Sequence, residues 1–152
     1  MSDMQSCRDA LDKPRPEKSG LPILLVAAAA LIDIDGRVLI AQRPEGKMMA
    51  GLWEFPGGKL EEGESPEHAL MRELSEELGI ETRPCCFSPL TFVSHAYEKF
   101  NLMMPLYACR VWDGIPQGKE GQALKWVKPM DLYCEALLPA DIPMIPYLID
   151  ML

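Results

Sequence analysis

The 152-residue sequence has only two histidines, His68 and His95, and its five cysteines include no CxxC pair. A zinc finger needs four clustered nitrogen or sulfur ligands, so that class is excluded. Two isolated histidines also leave little material for a Ser/His/Asp or Cys/His nucleophilic centre. Cys85 and Cys86 are adjacent, Cys7 lies in a polar segment, and Cys109 and Cys134 stand apart. This unpatterned set reads as small apolar residues in a reducing cytoplasm. An excess of positive charge is lacking too: 15 Lys+Arg face 23 Asp+Glu, for a formal net charge of −8. No nucleic-acid partner is expected of such a chain, because affinity for a duplex comes from Lys and Arg on phosphates. A small anionic ligand stays allowed, since a bound divalent cation inverts the local field. The longest apolar run, LPILLVAAAALI at 21–32, has twelve residues, short of the roughly 20 that cross a bilayer as a helix. Asp3, Asp9, Asp12 and Glu17 ahead of it make a poor signal-peptide n-region. The run therefore reads as a buried strand, with no membrane partner and a cytoplasmic location expected.

What is present is an ordinary globular balance, 48% hydrophobic and 25% charged. The length suits one domain that buries roughly 70% of its unfolded surface without disulfides or a structural metal. Residues 1–20 show no apolar period and are expected to form a flexible tail ahead of a single domain at 21–152. Residues 24–33, the Asp35-Gly36 turn and residues 37–42 read as a hairpin. The Gly-rich stretch from 43 to 64, with Pro44 and Pro56, is too long for a plain connection and reads as a functional loop. Ser65 as N-cap, Pro66 in the first turn and Gly79 at the end bound a helix. Segments 91–97 and 102–111 read as paired strands and 123–127 as another. The segment 141–152 reads as a second helix N-capped by Asp141. The order β-β-α-β-β-β-α predicts a mixed sheet with helices packed on it.

The first helix carries the chemistry. At about 100° per residue, Leu70, Met71, Leu74 and Leu78 form its core face, while Glu73, Glu76 and Glu77 share an adjoining arc. Like charges at these spacings repel by a few tenths of a kcal/mol each, and Arg72 is the only cation set to offset them. An acidic solvated face would explain the helix alone. Gly57-Gly58 and Glu64, however, lie just before it. Carboxylates facing a glycine loop form the all-oxygen surroundings that a hard cation prefers, and magnesium in such a site shares its positions with substrate phosphates.

From Gly58, five residues lead to Glu64, seven more to Arg72-Glu73, and Leu74-Ser75-Glu76-Glu77-Leu78-Gly79-Ile80 follows. This pattern resembles a complete Nudix box. Seven specified residues at ~5–7% each give a chance match on the order of 10⁻⁸ per window. The segments AQRPEG (41–46), GLWEFPGGK (51–59) and GKEGQ (118–122) are similar to the MutT-like branch of that family. The likeness runs from about residue 24 to the C-terminus.

The resemblance implies an α/β (α+β) Nudix fold, a mixed sheet sandwiched between helices as α-β-α. It implies a Mg²⁺- or Mn²⁺-dependent enzyme that hydrolyses a nucleoside triphosphate of the 8-oxo-dGTP kind to the monophosphate and pyrophosphate, as monomer or homodimer. Glu76 and Glu77 would be the main metal ligands, with the Gly57 carbonyl. Glu73 would orient or deprotonate water, or join the metal. Arg72 would hold the glutamates, and Glu64 would support the metal directly or through its neighbours. Glu120 would be an extra ligand or base, or else a solvated loop carboxylate. Arg43 would meet phosphates or sugar, Phe55 and Tyr97 would flank the base, and Asp141 would read the base edge besides capping its helix. A carboxylate there serves 8-oxoguanine and also cytosine derivatives, so hydrolysis of CTP, dCTP or oxidised pyrimidine nucleotides is the nearest alternative. A dinucleoside polyphosphate hydrolase and a non-catalytic 8-oxoguanine reader are more distant, the latter because every box carboxylate is present.

Overall fold

The computed structural model describes residues 2–152. Strand β1 (Ile23–Leu31) is fully buried from Ala27 onward, which accounts for its continuous apolar run. It lies between β4 (Gly57–Lys59), antiparallel, and β6 (Asn101–Cys109), parallel, while β5 (Phe87–Ala96) pairs antiparallel with β6 at the edge. A second sheet has the order β3-β2-β7, with β2 (Val38–Gln42) between β3 (Trp53–Glu54) and β7 (Leu124–Val127).

The expected hairpin of β1 and β2 forms its turn but not its ladder. The Asp33 carboxylate accepts from the Asp35 and Arg37 amides and from Arg37 Nε, and Gly36 takes a left-handed φ of 75°. Beyond the single bridge Ile32↔Val38 the strands part into different sheets, since both edges of β1 are already paired. The stretch 43–64, read as loop, contains β3 and β4. Two- and three-residue strands with Gly and Pro around them carry no period that a sequence could display.

Side chains of β1 alternate between two helical layers. Ala27, Ala29 and Leu31, with Tyr107 and Cys109 of β6, meet Leu70, Leu74 and Leu78 of α2 (Pro66–Leu78). Ala28 and Ala30, with Leu102, Met104 and Leu106, meet Ile145 and Leu148 of α3 (Ile145–Met151) on the other side. The α-β-α layering is thus observed, with the sheet divided in two. Helix α2 starts and stops as its sequence indicates: Ser65 Oγ accepts from the His68 amide, and Gly79 closes it in the left-handed region.

The C-terminal segment departs from expectation. A 3-10 turn (Ile142–Met144) precedes α3, and Asp141 makes no capping bond. Pro146 supplies no amide and so fits only the first turn of a helix, which delays α3 to Ile145. Ahead of β1, residues Ser2–Leu11 form a further helix, α1, where no regular element was expected; from Met4 on it is solvent-exposed. Good helix formers (Met4, Gln5, Arg8, Ala10, Leu11) favour it locally, and no apolar period was needed because it covers no core. No helix among the described residues is long and apolar enough to cross a membrane.

Leu74 is fully buried between α2 and the Ala-rich β1. Leu74→Ala is expected to cost about 2–5 kcal/mol of unfolding free energy in urea denaturation, as other buried Leu truncations do. A cost under about 1 kcal/mol would contradict this packing.

Candidate active site

Arg72 organises the start of the site. Its Nε and Nη2 bind the two oxygens of Glu64 at 2.9 Å each, Nη1 donates to Glu73 Oε1 at 2.8 Å, and Nη2 also donates to the Lys59 carbonyl at 3.0 Å. The paired bonds hold the Glu64 carboxyl down at about 2, and the same bonds raise the guanidinium. One planar fork therefore ties α2 both to the turn before it and to the end of β4. Gly58 is required beneath this array, since a Cβ there would run into the Glu73 carboxylate; at Gly57 it would meet the Ala27 carbonyl of β1.

Glu77, one turn after Glu73, is the buried member. Burial comes first in pushing its carboxyl up to about 9; its hydrogen bond with Glu73 and the charges of Glu73, Glu54 and Glu120 act in the same direction. Glu76 points outward with 60% of its side chain exposed, 3.6 Å from Arg72. The turn at 118–122 is seated on the end of α2: the Lys119 amide and Gln122 Nε2 both donate to the Glu77 carbonyl at 3.0 Å. That seat brings Glu120 near, where its Oε2 lies 3.5 Å from Lys47 Nζ. Among the described residues, no three Asp, Glu, His or Cys side chains converge into a ready-made ion site. The donor set nevertheless fits a hard divalent cation: Glu73 and Glu77 are all-oxygen donors, and like charge from Glu54 and Glu120 presses on Glu77, a repulsion that a cation would relieve.

Beside Glu77 opens a cavity of about 400 Å³, lined among others by Arg43, Lys47, Glu54, Phe55, Gly57, Tyr97, Phe100 and Asp141. Its lining joins the Glu77 carboxyl of α2 to the aromatic rings of Phe55, Tyr97 and Phe100. Tyr97 packs between His95 and Phe100, with ring centroids 4.6 and 5.1 Å away. Asp141 is 2% exposed, and its Oδ2 accepts from the Phe55 amide at 3.1 Å. Burial pushes its carboxyl up to about 8, so at neutral pH it is mostly protonated and carries both an acceptor and a donor.

The fold brings together most of the residues singled out from sequence. Phe55, Tyr97, Asp141, Gly57 and Glu77 all line the cavity, with Glu73 bonded behind Glu77. Asp141, read as a helix cap, instead holds the β3–β4 connection through Phe55. Arg43 is turned onto Glu54 Oε2 (2.8 Å) and the Met48 carbonyl (2.7 Å). Glu64 serves Arg72, and Glu120 stands at the rim. Sequence reasoning missed Glu54, Gln122 and Lys47. Glu54 carried no signal in the sequence, because β3 itself had none; the observed register, Ala41 facing Glu54 and Gln42 facing Trp53, puts Arg43 diagonally across from the acid.

A family model described as a NUDIX domain matches residues 27–146. A protein of Escherichia coli (strain K12) named CTP pyrophosphohydrolase is 44% identical over 124 residues, 80% of this chain and 89% of that protein. A protein of Proteus vulgaris named 8-oxo-dGTP diphosphatase is 41% identical over 98 residues, covering 64% and 86%. Among solved structures, the solution structure of the E. coli ORF135 protein superposes with a TM-score of 0.76 at 34% identity, covering 90% of this chain and 95% of that one.

The raised carboxyl of Asp141 has a stability consequence. Its folded value of about 8 lies above the ordinary 3.8, so the folded state keeps a proton that the unfolded state releases. Asp141 is therefore neutral in its effect at low pH and increasingly destabilising as pH rises from about 4 to about 8. Asp141→Asn, which keeps the acceptor for Phe55, is expected to raise Tm relative to the parent at pH 8, with the difference vanishing towards pH 4. A pH-independent difference would contradict the buried neutral acid.

Proposed function

The chain belongs to the Nudix hydrolase family, and on that premise we propose that it is a divalent-cation-dependent nucleoside triphosphate pyrophosphohydrolase of the 8-oxo-dGTP kind, releasing the monophosphate and pyrophosphate. The observation that carries this reading is one cavity lined by two unlike sets of groups: the Glu77 carboxyl of α2 beside Gly57, and the aromatic rings of Phe55, Tyr97 and Phe100 with the buried Asp141. A triphosphate with its base attached spans that contrast.

Of the first set and its neighbours, Glu73, Glu76, Glu77 and the Gly57 carbonyl would hold magnesium or manganese. Such an ion neutralises phosphate charge and lowers the pKa of a bound water. Glu73, fixed by Arg72 Nη1, would orient the attacking water and take its proton. Arg72 acts through the glutamates it holds, and Glu64 acts through Arg72. Phosphoryl transfer of this kind asks the protein mainly for positioning and charge stabilisation, which a preset carboxylate array supplies. Arg43 positions the wall through Glu54 and the Met48 carbonyl.

Of the second set, Tyr97 and Phe55 offer apolar faces to a base. A protonated carboxyl pairs one donor with one acceptor. Guanine shows two acceptors, O6 and N7, on its major-groove edge. Oxidation at C8 turns N7 into an N–H donor, so the oxidised base alone matches a donor–acceptor partner there. Cytosine also matches, through N3 and its N4 amino donor. That match, together with the name of the relative 44% identical to this chain, supports a second reading as a CTP pyrophosphohydrolase.

The test is kcat/KM for 8-oxo-dGTP, dGTP, CTP and dCTP with Mg²⁺ and with EDTA. We expect 8-oxo-dGTP to exceed dGTP by at least about tenfold, or ~1.4 kcal/mol of transition-state binding. A larger value for CTP would favour the second reading, and no hydrolysis of any of the four would sink both. Glu77→Gln is expected to lower kcat at least about 100-fold. Because it removes a buried acid under like-charge pressure, it should leave Tm in EDTA equal or higher. Near-normal turnover in that variant would remove Glu77 from the metal's neighbourhood.

A further inference from the structure

The cations of the cavity differ in how firmly they are held. Arg43 is fixed at 2.8 Å to Glu54 and at 2.7 Å to the Met48 carbonyl, with 23% of its side chain exposed. Arg72, behind the cavity wall, is committed to Glu64, Glu73 and the Lys59 carbonyl. Lys47 lines the same cavity, but its single ion pair among the described residues is to Glu120, at 3.5 Å, with 55% and 47% of the two side chains exposed. A solvated pair at that distance is among the weakest of ion pairs and is readily given up for a stronger anion. Lys59 also lines the wall and enters no ion pair among the described residues, yet it ties no loop to another.

The pair joins segments 73 residues apart in sequence. Lys47 belongs to the loop between β2 and β3, whose backbone is shaped by left-handed Gly46, Met49 and Gly51 and fastened by Arg43 to the Met48 carbonyl. Glu120 belongs to the turn seated on the Glu77 carbonyl by the Lys119 amide and Gln122 Nε2. Of the cavity's ion-paired cations, Lys47 has the less to lose to a triphosphate entering between them, its pair being longer and more exposed than that of Arg43. The departure of Lys47 leaves Glu120 beside Glu77, whose carboxyl already feels the Glu120 charge.

We propose that Lys47 is an exchangeable latch: without substrate it ties the β2–β3 loop to Glu120, and the substrate's phosphate chain takes Lys47 over, freeing Glu120 to join Glu77 in the site. The proposal rests on the nucleotide triphosphate reading and adds a residue and an order of events to it.

Two variants and two measurements separate the parts. Lys47→Ala and Glu120→Gln both break the latch, so in nucleotide-free, metal-free protein each should speed hydrogen exchange of the Lys119 amide about two- to fivefold, the worth of one surface pair. In turnover with the Mg²⁺ triphosphate they should diverge. Lys47→Ala raises KM about tenfold with kcat within about threefold, the signature of lost uniform binding. Glu120→Gln leaves KM level or lower, because Lys47 is then uncontested, and reduces kcat. Unchanged exchange in Lys47→Ala would overturn the latch. A KM within twofold of the parent in Lys47→Ala, or equally raised in both variants, would overturn the handover and leave a merely structural pair. If the parent protein hydrolysed no triphosphate, the underlying reading would fail by that observation alone, and the exchange measurement would still decide whether the latch exists.

Discussion

The guanidinium of Arg72 is the constraint on which the rest of the site depends. Helix α2 lies on the sheet through Leu70, Leu74 and Leu78, contacts that fix its distance from β1 but tolerate small rotations about its axis. The bidentate pair with Glu64, the bond to Glu73 and the bond to the Lys59 carbonyl remove that freedom. Each of these partners comes from a different stretch of chain: the turn before the helix, the helix itself and the end of β4. With the rotation set, Glu77 faces the cavity, Glu73 is bonded behind it and Glu76 faces solvent. Gly58 lets the array close, since any Cβ there would occupy the volume of the Glu73 carboxylate.

Two acids in this molecule lie where acids are costly. Glu77 sits among other carboxylates, and Asp141 lies under the apolar wall with a single backbone amide as named partner. Neither arrangement favours folding, because burial and like charge both oppose ionisation. Such groups cluster at functional sites, and here both line one cavity. The unlike environments give them unlike tasks. A shared cation would relieve the repulsion around Glu77, whereas the isolated acid gains a donor by staying protonated.

Much of this was legible in the chain. The limits of α2 follow from Ser65, Pro66 and Gly79, each acting on its own local backbone. The spacing of Glu64, Arg72, Glu73 and Glu77 already identified the carboxylate array. Other parts were not legible, for identifiable reasons. The turn at Asp33–Gly36 promised a hairpin, but pairing along β1 was decided by competition from β4 and β6. Asp141 carries the same local signal whether it caps a helix or accepts from Phe55, and Pro146, by delaying α3, left it to the second task. Arg43 offered a charge but not its address.

Sequence by itself determined the order of the candidate carboxylates along α2, the core face of that helix and the family to which the chain belongs, because these rest on residue type and short-range spacing, which no fold can alter. Tertiary structure alone decided which carboxylates are buried and which solvated, that Arg43 is spent on Glu54, and that Lys47 meets Glu120 across the mouth of the cavity. Those outcomes depend on how far water is excluded and on which distant segments become neighbours, and neither quantity exists until the sheets close and the helices settle on them.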